Sequence, residues 1–256
     1  MKLGIILLTI LLIGCALPVI EPEPVIDNPE YRGLFIGVND YIYLPSLDLP
    51  SPAKNTERLK SLFEKCAIDG YPFTIIETLT GKDATKQNIL DKILKTFGDA
   101  DDNDVSYFYF MGHGNFKWGN PVIAPADYQY TLETSITSDE LEGVLDQIKG
   151  TKVIFLETCH SGVFISRGDI PLLLNKENYQ VLTSSAGGQS TYDNPDGYSY
   201  FCKALIRGME NLRADANKDG IVTMDEIYRY IKNHVNRQTV QVYPFGSEFP
   251  VYQMKG

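Results

Sequence analysis

Tyr107-Phe108-Tyr109-Phe110-Met111-Gly112-His113-Gly114 and Val153-Ile154-Phe155-Leu156-Glu157-Thr158-Cys159-His160-Ser161-Gly162 decide how this chain is read. Each begins as an apolar run of strand type, Val105 to Met111 in one case and Val153 to Leu156 in the other. Each then delivers a reactive side chain just beyond the strand end, with glycine beside it. A cysteine and a histidine presented in this way are the minimal parts of a thiolate nucleophile and its general base or acid.

The pattern continues outward from these two blocks. Leu34 to Val38, Phe73 to Leu79 and Tyr179 to Thr183 are further strand candidates. Helix-length segments lie between them. Ser51-Pro52 is an expected helix start, followed by Leu59, Leu62, Phe63 and Cys66 at helical spacing. Ile89, Leu90, Ile93, Leu94 and Phe97 mark a second helix, and Ser138 is the expected cap of a third that carries Leu141, Val144, Leu145 and Ile148. Two more are expected over about 199–212 and 224–235. Strands separated by helices predict an α/β fold with right-handed crossovers and a mainly parallel central sheet, flanked by helices on both faces. Ligand sites in such sheets lie beyond the carboxyl ends of the strands, where His113 and Cys159 both fall.

The 256 residues suit one sizeable domain, and a net charge of −10 without a basic cluster argues against nucleic acid as a partner. The amino-terminal segment reads differently. Lys2 and the apolar run Leu3 to Ile13 have the form of an export signal too short to span a bilayer comfortably. Leu12-Ile13-Gly14-Cys15 resembles a bacterial lipobox, with Cys15 as the lipidated residue after cleavage; an ordinary signal or an uncleaved anchor are the alternatives. Residues 1–15 are therefore assigned to a signal or lipoprotein-type segment, 16–30 to a tether rich in proline and glutamate, and 31–256 to the folded domain. The expected location is outside the cytoplasm, as a membrane-anchored lipoprotein or a secreted or periplasmic protein. Of the remaining cysteines, Cys66 and Cys202 are expected in the core, and no disulfide framework is indicated.

The amides of Gly114 and Cys159 are plausible oxyanion donors for a tetrahedral intermediate. His160 competes with His113 as base, but neighbouring side chains in an extended turn diverge. His234 is expected to be structural or exposed.

The two opening blocks resemble the catalytic blocks of caspase-like peptidases, particularly metacaspases and their prokaryotic relatives. Leu34-Phe35-Ile36-Gly37-Val38-Asn39 is similar to that family's opening strand, and Val181-Leu182-Thr183-Ser184-Ser185-Ala186 to its strand after the nucleophile. The resemblance implies a caspase-haemoglobinase fold, Cys159 as nucleophile, His113 as base or acid, and peptide or protein substrates. By analogy Ser184 and Ser185 would line the substrate groove, with Asp193 and Asp48 as secondary acids of the pocket. The chain departs from the family in two places. Asn55-Thr56 stands where the family often has Asp-Ala, and Glu157 replaces the aspartate that metacaspases usually carry two residues before the cysteine. A carboxylate there suits Arg or Lys at P1. Legumains also have Glu at this place and cleave after Asn.

Asp215-Ala216-Asn217-Lys218-Asp219-Gly220-Ile221-Val222-Thr223-Met224-Asp225-Glu226 matches an EF-hand loop. Asp215, Asn217, Asp219, the Ile221 carbonyl, Thr223 and Glu226 are its candidate Ca²⁺ ligands. The favoured reading is an exported cysteine endopeptidase with a structural or activating calcium and a membrane link through its amino terminus. Its alternatives are a non-catalytic calcium-binding surface module and a legumain-like peptidase or transpeptidase.

Overall fold

The computed structural model describes residues 28–117, 119–165, 174–190 and 197–256. Cys15, the tether up to residue 27 and Asp193 lie outside the described residues.

In chain order the strands are β1 (Tyr31–Gly37), β2 (Ala67–Ile68), β3 (Tyr71–Thr80), β4 (Val105–Met111), β5 (Gly114–Lys117), β6 (Asn120–Ile123), β7 (Ile136–Thr137), β8 (Thr151–Glu157), β9 (Tyr179–Thr183), β10 (Ile221–Thr223), β11 (Gln241–Tyr243) and β12 (Pro250–Gln253). The helices are α1 (Pro52–Phe63), α2 (Lys86–Phe97), α3 (Ser138–Leu145), α4 (Tyr200–Met209) and α5 (Met224–His234). The central sheet has seven strands in the order β11-β9-β8-β4-β1-β3-β2. The run from β9 to β3 is parallel throughout, and the antiparallel β11 and β2 close its two edges. This is the expected α/β architecture, with helices on both faces.

Alternation along the strands builds two cores. Tyr107, Tyr109 and Met111 of β4 join Val153 and Phe155 of β8 in the core that includes Leu59, Leu62, Leu205 and Ile227 of α1, α4 and α5. Phe108 and Phe110 join Ile154 and Leu156 in the opposite core, with Ile89, Ile93 and Leu141 of α2 and α3. Continuous burial on both sides explains why these strands are uninterrupted apolar runs.

Some boundaries differ from the sequence expectation. The cap of α3 is Thr137 rather than Ser138. Thr137 Oγ1 accepts from the Glu140 amide while Glu140 accepts from the Thr137 amide, a reciprocal box that only a residue three before the glutamate can make. The helix expected to run to 212 ends at Met209, because Asn211 and Leu212 adopt left-handed φ of 56° and 55°. Ser51 does occupy the first position before α1, but its side chain makes no capping bond to that helix.

At the amino-terminal end of the sheet, Asp104 joins the start of β4 to β1. Its carboxylate accepts from the Glu30 amide and from Arg32 Nη1, each at 2.7 Å. Burial opposes ionisation of Asp104, but the Glu30 amide, the Arg32 guanidinium and the Asp101 amide outweigh it and hold the carboxyl below its ordinary pKa. A depressed carboxylate contributes stability that is complete above the unfolded-state pKa, and that is lost as pH falls through the lower folded value. Asp104→Asn is therefore expected to lose about 3 kcal/mol at neutral pH and to flatten the acid limb of the stability curve. Urea unfolding between pH 7 and pH 3, read as the difference between the two proteins, checks this; a constant difference would contradict it.

Candidate active site

The position of the site follows from the register of two neighbouring parallel strands. Met111, the last residue of β4, pairs with Glu157, the last of β8. Two residues further along each strand stand His113 and Cys159. Parallel strands lie about 4.8 Å apart, so the register brings the histidine and cysteine turns side by side at the carboxyl edge of the sheet. The Gly112 amide donates to the Glu157 carbonyl and extends the ladder into the turn. At Gly114 the turns touch. A Cβ there would fall 2.5 Å from Thr158 Oγ1 and 2.6 Å from the Cys159 carbonyl oxygen, so only glycine permits this approach.

His113 is held from two directions. Its backbone amide donates to the Tyr41 hydroxyl at 2.9 Å, and its Nε2 lies 2.8 Å from the Leu47 carbonyl. A carbonyl only accepts, so this nitrogen carries the proton, leaving Nδ1 as the basic atom of the neutral ring. Tyr41 is buried, and its ring lies 5.2 Å from that of His113. Burial raises the Tyr41 pKa, the bond from the His113 amide opposes the rise, and Asp48, Tyr128 and Cys159 add to it. The phenol therefore stays neutral. Asp48 accepts from the Tyr41 amide, which places it on the histidine side of the site.

Cys159 is partly exposed, whereas Cys66 and Cys202 are buried. Burial pushes the Cys66 thiol up to about 12 and the Cys202 thiol well above its ordinary value, which leaves both unreactive. His160 follows Cys159 with a left-handed φ of 61°. Its Nδ1 lies 2.7 Å from the Gly187 carbonyl and its amide donates to the Gln189 carbonyl, so the ring is tied to the loop after β9. It is an anchor of the turn.

Ser184 and Ser185 do not line a groove, as the analogy suggested. Both are fully buried behind the cysteine turn. Their hydroxyls donate to the Thr158 carbonyl, and the Ser185 amide donates to Ser161 Oγ. Small hydroxyl residues fit here because the turn has amides and carbonyls to satisfy without space for larger side chains. Gly162 completes the lock, since a Cβ there would lie 2.0 Å from Gln241 Oε1.

Glu157 lies on the α1–α4 face, 1% exposed, with the Tyr109 hydroxyl donating to its Oε2 at 2.7 Å. Asn55 of α1 is buried on the same face. Its Nδ2 reaches Met111 Sδ and Ser199 Oγ, while its Oδ1 has no hydrogen-bond partner among the described residues. An asparagine carbonyl and a carboxylate are thus both buried on this face of the sheet, and each can accept a hydrogen bond. In the sequence Asn55 stands out only as a departure from a family pattern. The roles of the Leu47 carbonyl and the Tyr41 hydroxyl were not visible either.

The candidate calcium loop joins the segment after α4 to α5. Gly220 turns it with a φ of 90°, and β10 pairs with β12 of the same chain. Asp215 accepts from the amides of Lys218 and Gly220, Asn217 from that of Asp219, and Asp219 from that of Ile221. Thr223 caps α5, and Glu226 accepts from Thr223 and from the Ala216 amide. The donor set is wholly oxygen, which suits a hard cation. Among the described residues, however, no three His, Cys, Asp or Glu side chains converge on one point.

Comparison with known proteins agrees with this geometry. The Caspase domain family matches residues 32–254. No match was found among proteins with curated descriptions. Among solved structures, protein GSU0716 from Geobacter sulfurreducens superposes with a TM-score of 0.65 at 16% identity, over 89% of this chain and 100% of that one. That likeness concerns the fold alone. The family match spans both strand-end turns and nearly the whole described fold: the chain belongs to the Caspase domain family, a family of cysteine peptidases.

Proposed function

We propose that the protein is an exported cysteine endopeptidase in which Cys159 and His113 act as the catalytic pair. The observation that carries this reading is the register of β4 and β8, which sets the two residues at equivalent places past paired strand ends. The Cys159 thiolate attacks the scissile carbonyl and forms a thioacyl-enzyme. His113 Nδ1, having taken the Cys159 thiol proton, gives it to the leaving amine, then takes one from the water that releases the acid product and returns it to the freed thiolate. The amides of Gly114 and Cys159 are the proposed oxyanion donors. The Leu47 carbonyl supports this cycle by fixing the imidazole tautomer.

Glu157 is the proposed selector of Arg or Lys at P1. A buried carboxylate with Asn55 Oδ1 on the same face offers a guanidinium two acceptors out of water. Asp193 belongs to this proposal from sequence alone. So do export and lipidation at Cys15, which support a surface location.

Calcium is proposed as a structural ligand of the loop at 215–226. Asp215, Asn217, Asp219, the Ile221 carbonyl and Glu226 would hold it, with Thr223 contributing directly or through water. Bound there, the ion would neutralise the acidic loop and draw together carboxylates that now rest on loop amides.

Two measurements follow. Peptides that differ only at P1 (Arg, Lys, Asn, Asp) should be cleaved after Arg and Lys, and Cys159→Ala should abolish all turnover. Glu157→Gln should lower kcat/KM for Arg by about tenfold to a hundredfold, the worth of a charged hydrogen bond. Preferred cleavage after Asn or Asp would overturn the pocket assignment. For the loop, millimolar Ca²⁺ should raise the Tm of the full chain over a chelated sample, and Asp219→Ala should remove the difference. Equal Tm values with and without Ca²⁺ would leave the loop a hydrogen-bonded corner.

A further inference from the structure

A cavity of about 160 Å³ opens beside His113 on the side away from Glu157. Its walls include Leu47, His113, Asn115, Ala124, Tyr128 and Tyr130. Ala124 and Tyr128 belong to the core on the α2–α3 face, whereas Met111, Tyr109 and Cys202 around Glu157 belong to the α1–α4 face. The cavity and Glu157 therefore lie on opposite faces of the carboxyl edge of the sheet, with the Cys159 and His113 turns between them.

We infer that this cavity is the S1′ subsite, and that it selects an uncharged, apolar or aromatic P1′ side chain. The inference rests on the peptidase reading above. In that reading the residue on the far side of the scissile bond from P1 contributes the leaving amine, which His113 protonates. Its side chain is consequently the part of the substrate brought against the histidine wall of the cavity.

The chemistry of the lining sets the preference. Among the described residues its lining holds no Lys, Arg, Asp or Glu, and two tyrosine rings 5.2 Å apart form part of its surface. The volume equals that of roughly five liquid waters, enough for a leucine or an aromatic ring. Tyr128 is 3% exposed, and its hydroxyl lies close to the Asn115 side chain. Burial raises its pKa and Tyr130 adds to the rise, while Asn115 opposes it. It remains a neutral group. Tyr130 is 47% exposed at the cavity mouth, held at a left-handed φ of 61° that few bulky residues adopt. Lys117 Nζ stands over its ring at 5.1 Å. A charged P1′ side chain would have to shed its water on entering, and among the described residues the full charge of Lys117 stands outside the lining, over the Tyr130 ring.

The test uses the full chain and internally quenched peptides with Arg fixed at P1 and Leu, Tyr, Asp or Lys at P1′. An Arg methyl ester, whose leaving group has no P1′ side chain, reports the chemistry alone. Leu and Tyr should exceed both Asp and Lys in kcat/KM by at least about tenfold. In Tyr130→Ala the ratio of Leu to Asp should shrink severalfold. A flat P1′ profile from protein that hydrolyses the ester would overturn the subsite and leave the peptidase reading standing. Failure to hydrolyse the ester would overturn that reading and the subsite with it.

Discussion

The site depends on the pairing of β4 with β8 in parallel, with Met111 opposite Glu157. A slip of one residue would turn every β8 side chain to the other face. Glu157 would leave the α1–α4 side, and Cys159 would no longer stand level with His113. The two-sided apolar burial of both strands fixes this register, because Phe155 and Leu156 each have a core waiting on their own side. Packing far from the reacting atoms is thus what sets their geometry, and Gly114 lets the two turns close to contact.

Beyond the strand ends, control passes from side chains to backbone. The His113 ring is oriented by a carbonyl, its amide by a phenol, and the cysteine turn by serine hydroxyls and by the amide of His160. These are short-range bonds from rigid or buried partners, which cost little reorganisation when charge moves. On the two faces of the edge the environments differ. One face buries a carboxylate, and the other holds a cavity bounded by tyrosine rings, with Lys117 over the outer one. A peptide crossing the edge would meet opposite demands on either side of its scissile bond.

Much of this is legible in the sequence. The long apolar strands announced themselves because burial on both faces leaves no polar interruption, and the two strand-end turns carried their glycines openly. The short strands β5, β6, β7, β10 and β11 did not, since two to four residues are too few to show alternation. The Leu47 carbonyl could not be read, because every residue has a carbonyl and only the fold selects one. Tyr41 looked like one aromatic among sixteen tyrosines. Ser184 and Ser185 were placed near the right turn but on the wrong side of it, since small hydroxyl residues serve a groove and a buried turn equally well. The Asp215 loop is recognisable by spacing, whereas the way its carboxylates rest on their own amides depends on the path of the backbone.

The central claim is that Cys159 and His113 work as one unit. Mass spectrometry of the intact full chain after exposure to an Arg acyloxymethyl ketone tests it most directly, with His113→Ala beside the natural protein. The account predicts a single adduct, mapped to Cys159, that forms rapidly in the natural protein and at least about a hundredfold more slowly in the variant. Equal labelling of both proteins, or an adduct on Cys66 or Cys202, would contradict it.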